Sequence, residues 1–361
     1  MSASPPESPV SAVETETSSS EQAVDPRALE RVRTAFGLTE FESELLSLCA
    51  QCEIFTERAP ITFRAAADIL PGADLQALAP SAPLRRLKLL HLDSARGPLQ
   101  SPLRVDERVL FALLGLHAPD SLLEDFVQWR DGGEQALVPS QERTALLLAE
   151  RWSGADWSSS DHVELRGDDT SGKLEVLAFA ARLSGHWLAS LPVSALPARP
   201  DELATLARLW TREALQSGSV HSLEGAHELD DARARALVDR FLDRCPVPVA
   251  LSIGQHHTAR SEGRTALRID KPSRTEQARA WRQHLGPHAR DASRWIARAT
   301  SQFHLSEAAI RRIADGAHAA PGEDERTAAE LWTACKGVAG PSLEHLARRI
   351  EPRADWSDLI L

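Results

Sequence analysis

The sequence predicts a multi-domain chain. A helical, winged-helix-like module comes first, then an α/β domain with a parallel sheet covered by helices on both faces, then a small helical lid. Three observations predict this order. Up to about residue 130 the apolar residues recur mostly at helical spacing, in short runs cut by Pro and Gly. From about residue 160, short apolar runs alternate with amphipathic helices, the pattern of strand–helix–strand units. A glycine-rich loop with a lysine, GDDTSGK, stands between the first of those strands and the first of those helices.

Residues 1–26 are mostly Ser, Pro, Glu and Thr with few large apolar side chains, and hold five acids (Glu7, Glu14, Glu16, Glu21, Asp25) and no Lys or Arg. They bury too little apolar surface to offset the entropy of ordering, so a disordered acidic tail is expected. Asp25 can cap a helix that has Pro26 at its first position, PRALERVRTAF. Thr39 and Glu42 have capping-box spacing at the start of LTEFESELLSLCAQCEIF. TFRAAADIL is a third helix, stopped by Pro71-Gly72. ADLQAL and the loop APSAP lead to two short apolar stretches, LRRLKLLHLD and PLQSPLRVD, joined by Ser94–Gly97 and read as a two-stranded wing. DERVLFALLG closes the module as a helix ending at Gly115, and the module as a whole spans 27–130.

Residues 131–160 hold the linker DGGEQALVPS and the helix TALLLAERWSG. The α/β domain, 161–286, then reads HVELRG (strand), GKLEVLAFAARLSG (helix), HWLASLP (strand) and DELATLARLWTREALQSG (helix). SVHSLEG (strand), DDARARALVDRFLDRC (helix), PVPVALSIG and TALRID (strands) and SRTEQARAWRQHLG (helix) complete it. Residues 287–361 form the lid and a C-terminal linker, with helices SRWIARATSQF, SEAAIRRIADGAHAA, ERTAAELWTACKG and SLEHLARRI.

Composition narrows the function classes. Hydrophobic residues at 42% and charged residues at 26% fit several soluble cores and exclude a collagenous or fully disordered chain. No run approaches the roughly 18 uncharged apolar residues of a membrane span. The start, MSASPPESPV, has neither the basic nor the apolar region of a secretory signal, and four cysteines lack framework spacing. A cytoplasmic chain without a membrane partner is expected. Net charge is −11, and the 27–130 module holds 12 basic against 14 acidic residues. That balance argues against nucleic acid as a partner, even with Arg85, Arg86 and Lys88 clustered in LRRLKLL. Cys49-x-x-Cys52 has no second pair and no nearby His, and reads as two thiols in an apolar helix.

The chemistry-bearing motif is Gly167-Asp168-Asp169-Thr170-Ser171-Gly172-Lys173, which fits the first seven places of the phosphate loop G-x-x-x-x-G-K-[ST]. With 19 Gly and four Lys in the chain, about 0.01 such matches arise by chance. Backbone N–H groups and the helix N-terminus surround the phosphates in such a loop, and the lysine reaches the outer ones. The eighth place, whose hydroxyl would hold magnesium, is Leu174, which has no oxygen to offer. Asp168 and Asp169 put two negative charges where phosphates would sit. Gly167 to Leu174 are therefore the candidate site for ATP or ADP, with magnesium poorly held and no metal ligands assigned. Survival of the loop as scaffold alone is the competing reading.

SVHSLEG should bring the acidic pair that holds magnesium and activates water. It offers Glu224, the candidate catalytic carboxylate, followed by Gly225. VALSIG ends at Gly254, where Gln255, His256 and His257 follow and only Gln255 could substitute for a phosphate-sensing polar residue. Arg260 and Arg264 are candidates for an arginine presented to a neighbouring subunit's site.

Several stretches carry a resemblance: FGLTEFESELLSLCA, the run ending LLHLD, PLRVDERVLFALLG, and above all LARRIEPRADWSDLIL. From about 27 to 361 the chain resembles the N-terminal half of the tandem AAA+ ATPases encoded with extracellular contractile injection systems. In that family a similar LA-x-x-I-x-P…W-x-D-L-x-L stretch links a degenerate first ATPase-like domain to an active second one. The resemblance implies an AAA+-type domain behind a winged-helix module, and a role in assembling or remodelling the injection particle. It also implies an active AAA+ domain or subunit and particle proteins as partners, and a ring oligomer. This chain departs from the pattern by stopping at Leu361, where the second ATPase domain would begin, so weak or absent hydrolysis is expected. A winged-helix adaptor that uses the ATPase-like fold only as an interaction platform is the alternative.

Overall fold

The structure is a computed structural model, and it describes residues 24–55, 60–92, 97–116, 118–130, 137–153, 161–167, 170–225, 232–254, 264–316 and 325–339. Residues 1–23 of the expected acidic tail, most of the linker and the closing LARRIEPRADWSDLIL stretch lie outside these residues. Val24 is buried, Asp25 caps the first helix and Pro26 begins it, so the ordered chain starts earlier than the expected boundary at 26.

The N-terminal helices form where the caps place them. Helix α1 (Pro26–Phe36) starts on the Asp25 side chain, which accepts from Arg27 N, and stops at Gly37 in a left-handed turn (φ 63). Helix α2 (Glu40–Ile54) carries the Thr39–Glu42 capping box in both directions. Helices α3 (Phe63–Ile69) and α4 (Pro83–Arg86) follow. Strands β1 (Leu90–Leu92) and β2 (Leu103–Val105) then pair antiparallel, Leu90 opposite Val105, and α5 (Glu107–Leu113) closes the unit. The first half of LRRLKLLHLD is a helical turn and only its end is a strand, because Pro83 at the helix start favours a turn there. Leu45, Leu46, Leu84, Leu89, Leu103 and Leu113 fill this core, each 4% exposed or less.

Strand β3 (Gln128–Arg130) was not anticipated; it lies at the end of the 27–130 segment yet pairs antiparallel with a strand of the α/β sheet. The sheet's other strands are β4 (Val163–Arg166), β5 (Leu188–Pro192), β6 (Val220–Glu224), β7 (Val249–Ile253) and β8 (Thr265–Arg268). Their order is β3-β5-β6-β7-β4-β8, and every pairing but that of β3 is parallel. The helices between them are α6 (Pro139–Ser153), α7 (Thr170–Leu183), α8 (Pro200–Ser217) and α9 (Ala232–Leu242). Alternate residues face opposite ways. Val163, Leu165, Leu188 and Val220 therefore pack on Leu148, Trp152, Val176 and Leu177 of α6 and α7. Leu191, Leu223, Leu251 and Ile253 pack on Leu206 and Trp210 of α8 and Phe241 of α9. Each such side chain contributes about 1.5–3 kcal/mol by leaving water.

The back of α8 is charged, and it meets the N-terminal module. Arg108 and Glu213 form a two-point ion pair at 3.0 and 3.1 Å, and Arg212 reaches Asp106 at 2.9 Å and Asp120 at 2.6 Å. All five side chains are buried or nearly so. Burial alone would raise the Asp106 carboxyl, but the His91 hydrogen bond and the Arg212 charge outweigh it and hold the group below its ordinary value.

Helices α10 (Arg274–Leu285), α11 (Ser293–Gln302), α12 (Glu307–Ala314) and α13 (Glu325–Ala339) share one core. Helix α10, expected to close the α/β domain at 286, thus packs through Trp281 and Leu285 with the helices of the expected lid, and the four together are called the lid. Its core centres on Trp281, Ile296, Ile310 and Leu331, with Trp281 edge-on to Trp295 at 4.9 Å. Among the described residues, Ser140 N donates to Glu276 at 2.9 Å and Arg311 lies 3.7 Å from Glu175 of α7, and both contacts tie these helices to the sheet domain.

The inner face of α8 gives the first prediction. His221 on β6 is fully buried beside Trp210, with ring centroids 4.1 Å apart and Ser219 Oγ at 2.9 Å from Nε2. Burial lowers its pKa from 6.5 to about 3, and burial also lowers those of His162 and His186. The unfolded chain therefore binds protons that the folded chain refuses. Stability is fully present above about pH 6.5 and falls as pH drops toward 3, by up to about 1.4 kcal/mol per pH unit per histidine. The urea midpoint should drop between about pH 7.5 and about pH 5, and His221→Gln should flatten that slope. A midpoint unchanged across this range would refute the argument.

Candidate functional site

The parallel strands number 2-3-4-1-5 across the sheet when counted along the chain, so the chain leaves β4, passes over β7 and β6, and returns as β5. The winding direction switches between β4 and β7, and open α/β sheets bind ligands outside the carboxyl ends of the strands at such a point. The GDDTSGK loop leaves β4 at that point and α7 begins at Thr170.

Gly167 anchors the loop. Its N–H donates to the Ile253 carbonyl at 3.2 Å, and Ile269 N donates to the Arg166 carbonyl at 2.7 Å. Its φ is 150, and a Cβ there would stand 1.9 Å from the Ile269 carbonyl oxygen. Only glycine fits, because the fixed backbone of the strand exit cannot retreat as a flexible side chain could.

Lys173 is buried completely. Its ammonium donates to the Gly167 carbonyl and to the Ile253 carbonyl, each at 2.8 Å, and so bridges the ends of β4 and β7 beneath the loop. Leu174, at the place of the magnesium hydroxyl, packs into the apolar cluster of α6, α7 and the sheet. The side chain that replaced the oxygen thus has a core role.

Glu224 ends β6, and Gly225 follows in a left-handed conformation (φ 83). Both Glu224 carboxylate oxygens are shielded from water and have no hydrogen-bond partner among the described residues. The hydroxyls of Ser222 on β6 and Ser252 on β7 are equally shielded and unpartnered. By strand alternation and register, Ser222, Glu224 and Ser252 share the face covered by α7. Sequence reasoning assigned nothing to Ser252; its position two residues before the end of VALSIG was the available signal.

Arg264 is engaged within its own chain. It reaches Asp239 of α9 at 3.0 Å and lies 3.6 Å from Glu164, a fully buried carboxylate of β4 that Arg166 also contacts at 2.8 Å. Burial, and then the Arg264 charge, holds the nearby His162 below its usual pKa. Asp168, Asp169, Gln255, His256, His257 and Arg260 lie outside the described residues, and of Thr170 and Ser171 only the helical backbone is described. Cys49 is buried, and burial pushes its thiol well above the ordinary range. Among the described residues no three His, Cys, Asp or Glu side chains gather as a metal site would need, and no helix is long and apolar enough to cross a membrane.

Of the loop's residues, Gly167 follows β4 and Gly172 and Lys173 lie in the first turn of α7, the order a phosphate loop needs for ATP or ADP, while Asp168 and Asp169 between them lie outside the described residues. The side chains fit magnesium poorly, since Leu174 lacks an oxygen and Glu224 is a single carboxylate followed by glycine.

Comparison with known proteins finds a family match in the lid: residues 273–341 match the contractile injection system ATPase helical domain. A search of curated proteins gives no match. Among solved structures, the FIGL-1 AAA domain in complex with ADP is similar over 65% of this chain and 90% of its own, at 14% identity and TM-score 0.43. A second crystal structure of the FIGL-1 AAA domain is similar over 67% of this chain and 93% of its own, at 13% identity and TM-score 0.43. C. elegans PCH-2 is similar over 55% and 68%, at 11% identity and TM-score 0.39.

Proposed function

We propose that this chain, whose residues 273–341 match the contractile injection system ATPase helical domain, is a non-hydrolysing AAA+-type subunit that acts in assembling or remodelling the injection particle. The observation that carries the reading is Lys173. In a working phosphate loop the lysine meets the outer phosphates, whereas here its ammonium already bridges the Gly167 and Ile253 carbonyls in a buried position. Two further losses act in the same direction: Leu174 has no hydroxyl for magnesium, and Gly225 follows Glu224 where a second carboxylate would stand. Losing one group that stabilises charge in a transition state commonly costs about 10²–10³ in rate, and these groups serve one reaction.

An active AAA+ domain or subunit would then power the work, with this chain in the same ring and in contact with particle proteins. The helical N-terminal module is the winged-helix element of that arrangement and takes protein rather than nucleic acid. The site of action is the cytoplasm.

ATP turnover by the purified chain should equal the buffer background with or without magnesium. ATP or ADP affinity should be weak, little changed by magnesium, and Leu174→Thr alone should not create turnover. Magnesium-dependent turnover by the wild-type chain, lost in Lys173→Ala, would show a working active site and end this reading.

A further inference from the structure

Residues 277–306, from α10 through α11 to the cap of α12, hold five arginines and three histidines against one acid, Asp291. The chain as a whole has a net charge of −11. Arg279, Arg282, Arg290, Arg294 and Arg298 are all exposed, and among the described residues none of the five closes an ion pair. Arg298 instead lies over the Trp332 ring at 4.6 Å. Elsewhere the arginines Arg108, Arg212, Arg264 and Arg311 each face a carboxylate.

Topology gathers four of these basic groups. Helix α10 ends at Leu285, a tight turn covers Gly286–Ala289, and α11 begins at Ser293. Arg282 in the last turn of α10, His288 and Arg290 in the connection, and Arg294 in the first turn of α11 therefore share one end of a helical hairpin. Arg294 stands where the helix dipole disfavours a cation, so its place is not explained by the helix's own stability. Asp291 in the same connection offsets one of the three arginine charges, and the remaining excess of like charge at one tip costs folding energy and calls for a partner.

We propose that this arginine face of the lid docks an acidic polypeptide segment of another protein, through charge rather than apolar contact. Guanidinium forks match carboxylates two points at a time. Trp281, Trp295 and Trp332 are packed into the lid rather than displayed, so no ring is offered for bases to stack on. The rest of the chain is acidic and repels a long polyanion running past the tip, while a short carboxylate run ends within it.

The test uses the full chain and a labelled polyglutamate peptide of about 20 residues, followed by fluorescence anisotropy at low and at near-physiological salt. Binding should weaken with salt. It should fall at least tenfold in the variant Arg282→Glu, Arg290→Glu, Arg294→Glu, with unchanged circular dichroism. Replacement of the same three residues by Gln should fall in the same direction by less, and covers the case in which charge reversal disturbs folding. Absence of binding, or binding indifferent to both variants, overturns the proposal. So does a DNA duplex that binds more tightly at equal salt and is lost in the same variants, since the face would then serve nucleic acid. A tenfold gain in peptide affinity on removing residues 1–23 also overturns it, because the chain's own acidic tail would be the occupant.

Discussion

Lys173→Ala should lower the stability of the α/β domain by about 2–4 kcal/mol, read as a shift of its chemical-denaturation midpoint. The reason is local. The substitution removes two charge-assisted hydrogen bonds of 2.8 Å, takes the Lys173 donor from the Gly167 carbonyl and leaves the Ile253 carbonyl with the Gly167 N–H alone. It also empties the volume of a completely buried side chain. Hydrogen bonds made by a charged donor are worth about 1.5–3 kcal/mol each, and the cavity adds to that. Relaxation and the recovered solvation of the ammonium reduce the sum. Lys173→Met separates these contributions, since it keeps most of the stem and loses only the charge and its bonds. A lysine that serves phosphate alone predicts the reverse: Lys173→Ala would leave the midpoint in place and abolish nucleotide affinity. That result would show the bridge to be incidental.

What sequence could read here was what is local. The capping residues Asp25, Thr39 and Ser273 fix helix starts through contacts two or three residues away, and those helices begin where the caps put them. The apolar strands HVELRG, HWLASLP, SVHSLEG and VPVALSIG are legible because each has a full run of buried side chains. Strand β3 has three residues, of which only Trp129 is half-buried, so it leaves no periodic signal. Its existence depends on β5, about 60 residues later, supplying an edge. The loop around Gly167 is legible as a motif, but the direction of the Lys173 ammonium is not. That direction depends on the Ile253 carbonyl, 80 residues away in the chain. Arg264 looked like a surface arginine available to another subunit. The carboxylates that occupy it, Glu164 and Asp239, lie on separate elements that only the folded sheet brings together.

Arg212→Ala should cost about 3–5 kcal/mol and loosen the N-terminal module from the sheet domain. In sequence Arg212 and Glu213 look like the polar side of an amphipathic helix, yet both are at most 1% exposed. The reason is that α8 is covered on both sides, by the sheet through Leu206 and Trp210 and by the N-terminal module through Arg212 and Glu213. Arg212 satisfies three acceptors at once: Asp106, Asp120 and the Lys88 carbonyl at 2.9 Å. Lys88 is held at φ 54, a conformation that L side chains rarely adopt, and its carbonyl is turned toward Arg212. A buried ion pair adds little over a well-packed apolar pair, because desolvating two charges offsets their attraction. Removing one partner is a different matter, since Asp106 and Asp120 would then keep buried charge with no cation between them. The exposed pair Arg199–Asp201, at 70% and 66% side-chain exposure, is the natural control, and Arg199→Ala should change stability by less than about 1 kcal/mol. Denaturation of Arg212→Ala should show the module melting in its own, earlier transition, since a multi-domain chain that loses an interface ceases to unfold as one unit. Limited proteolysis should cut between module and sheet domain sooner than in the wild type. A single transition at the wild-type midpoint would mean that apolar contacts of α1 and α8, rather than Arg212, join the two parts.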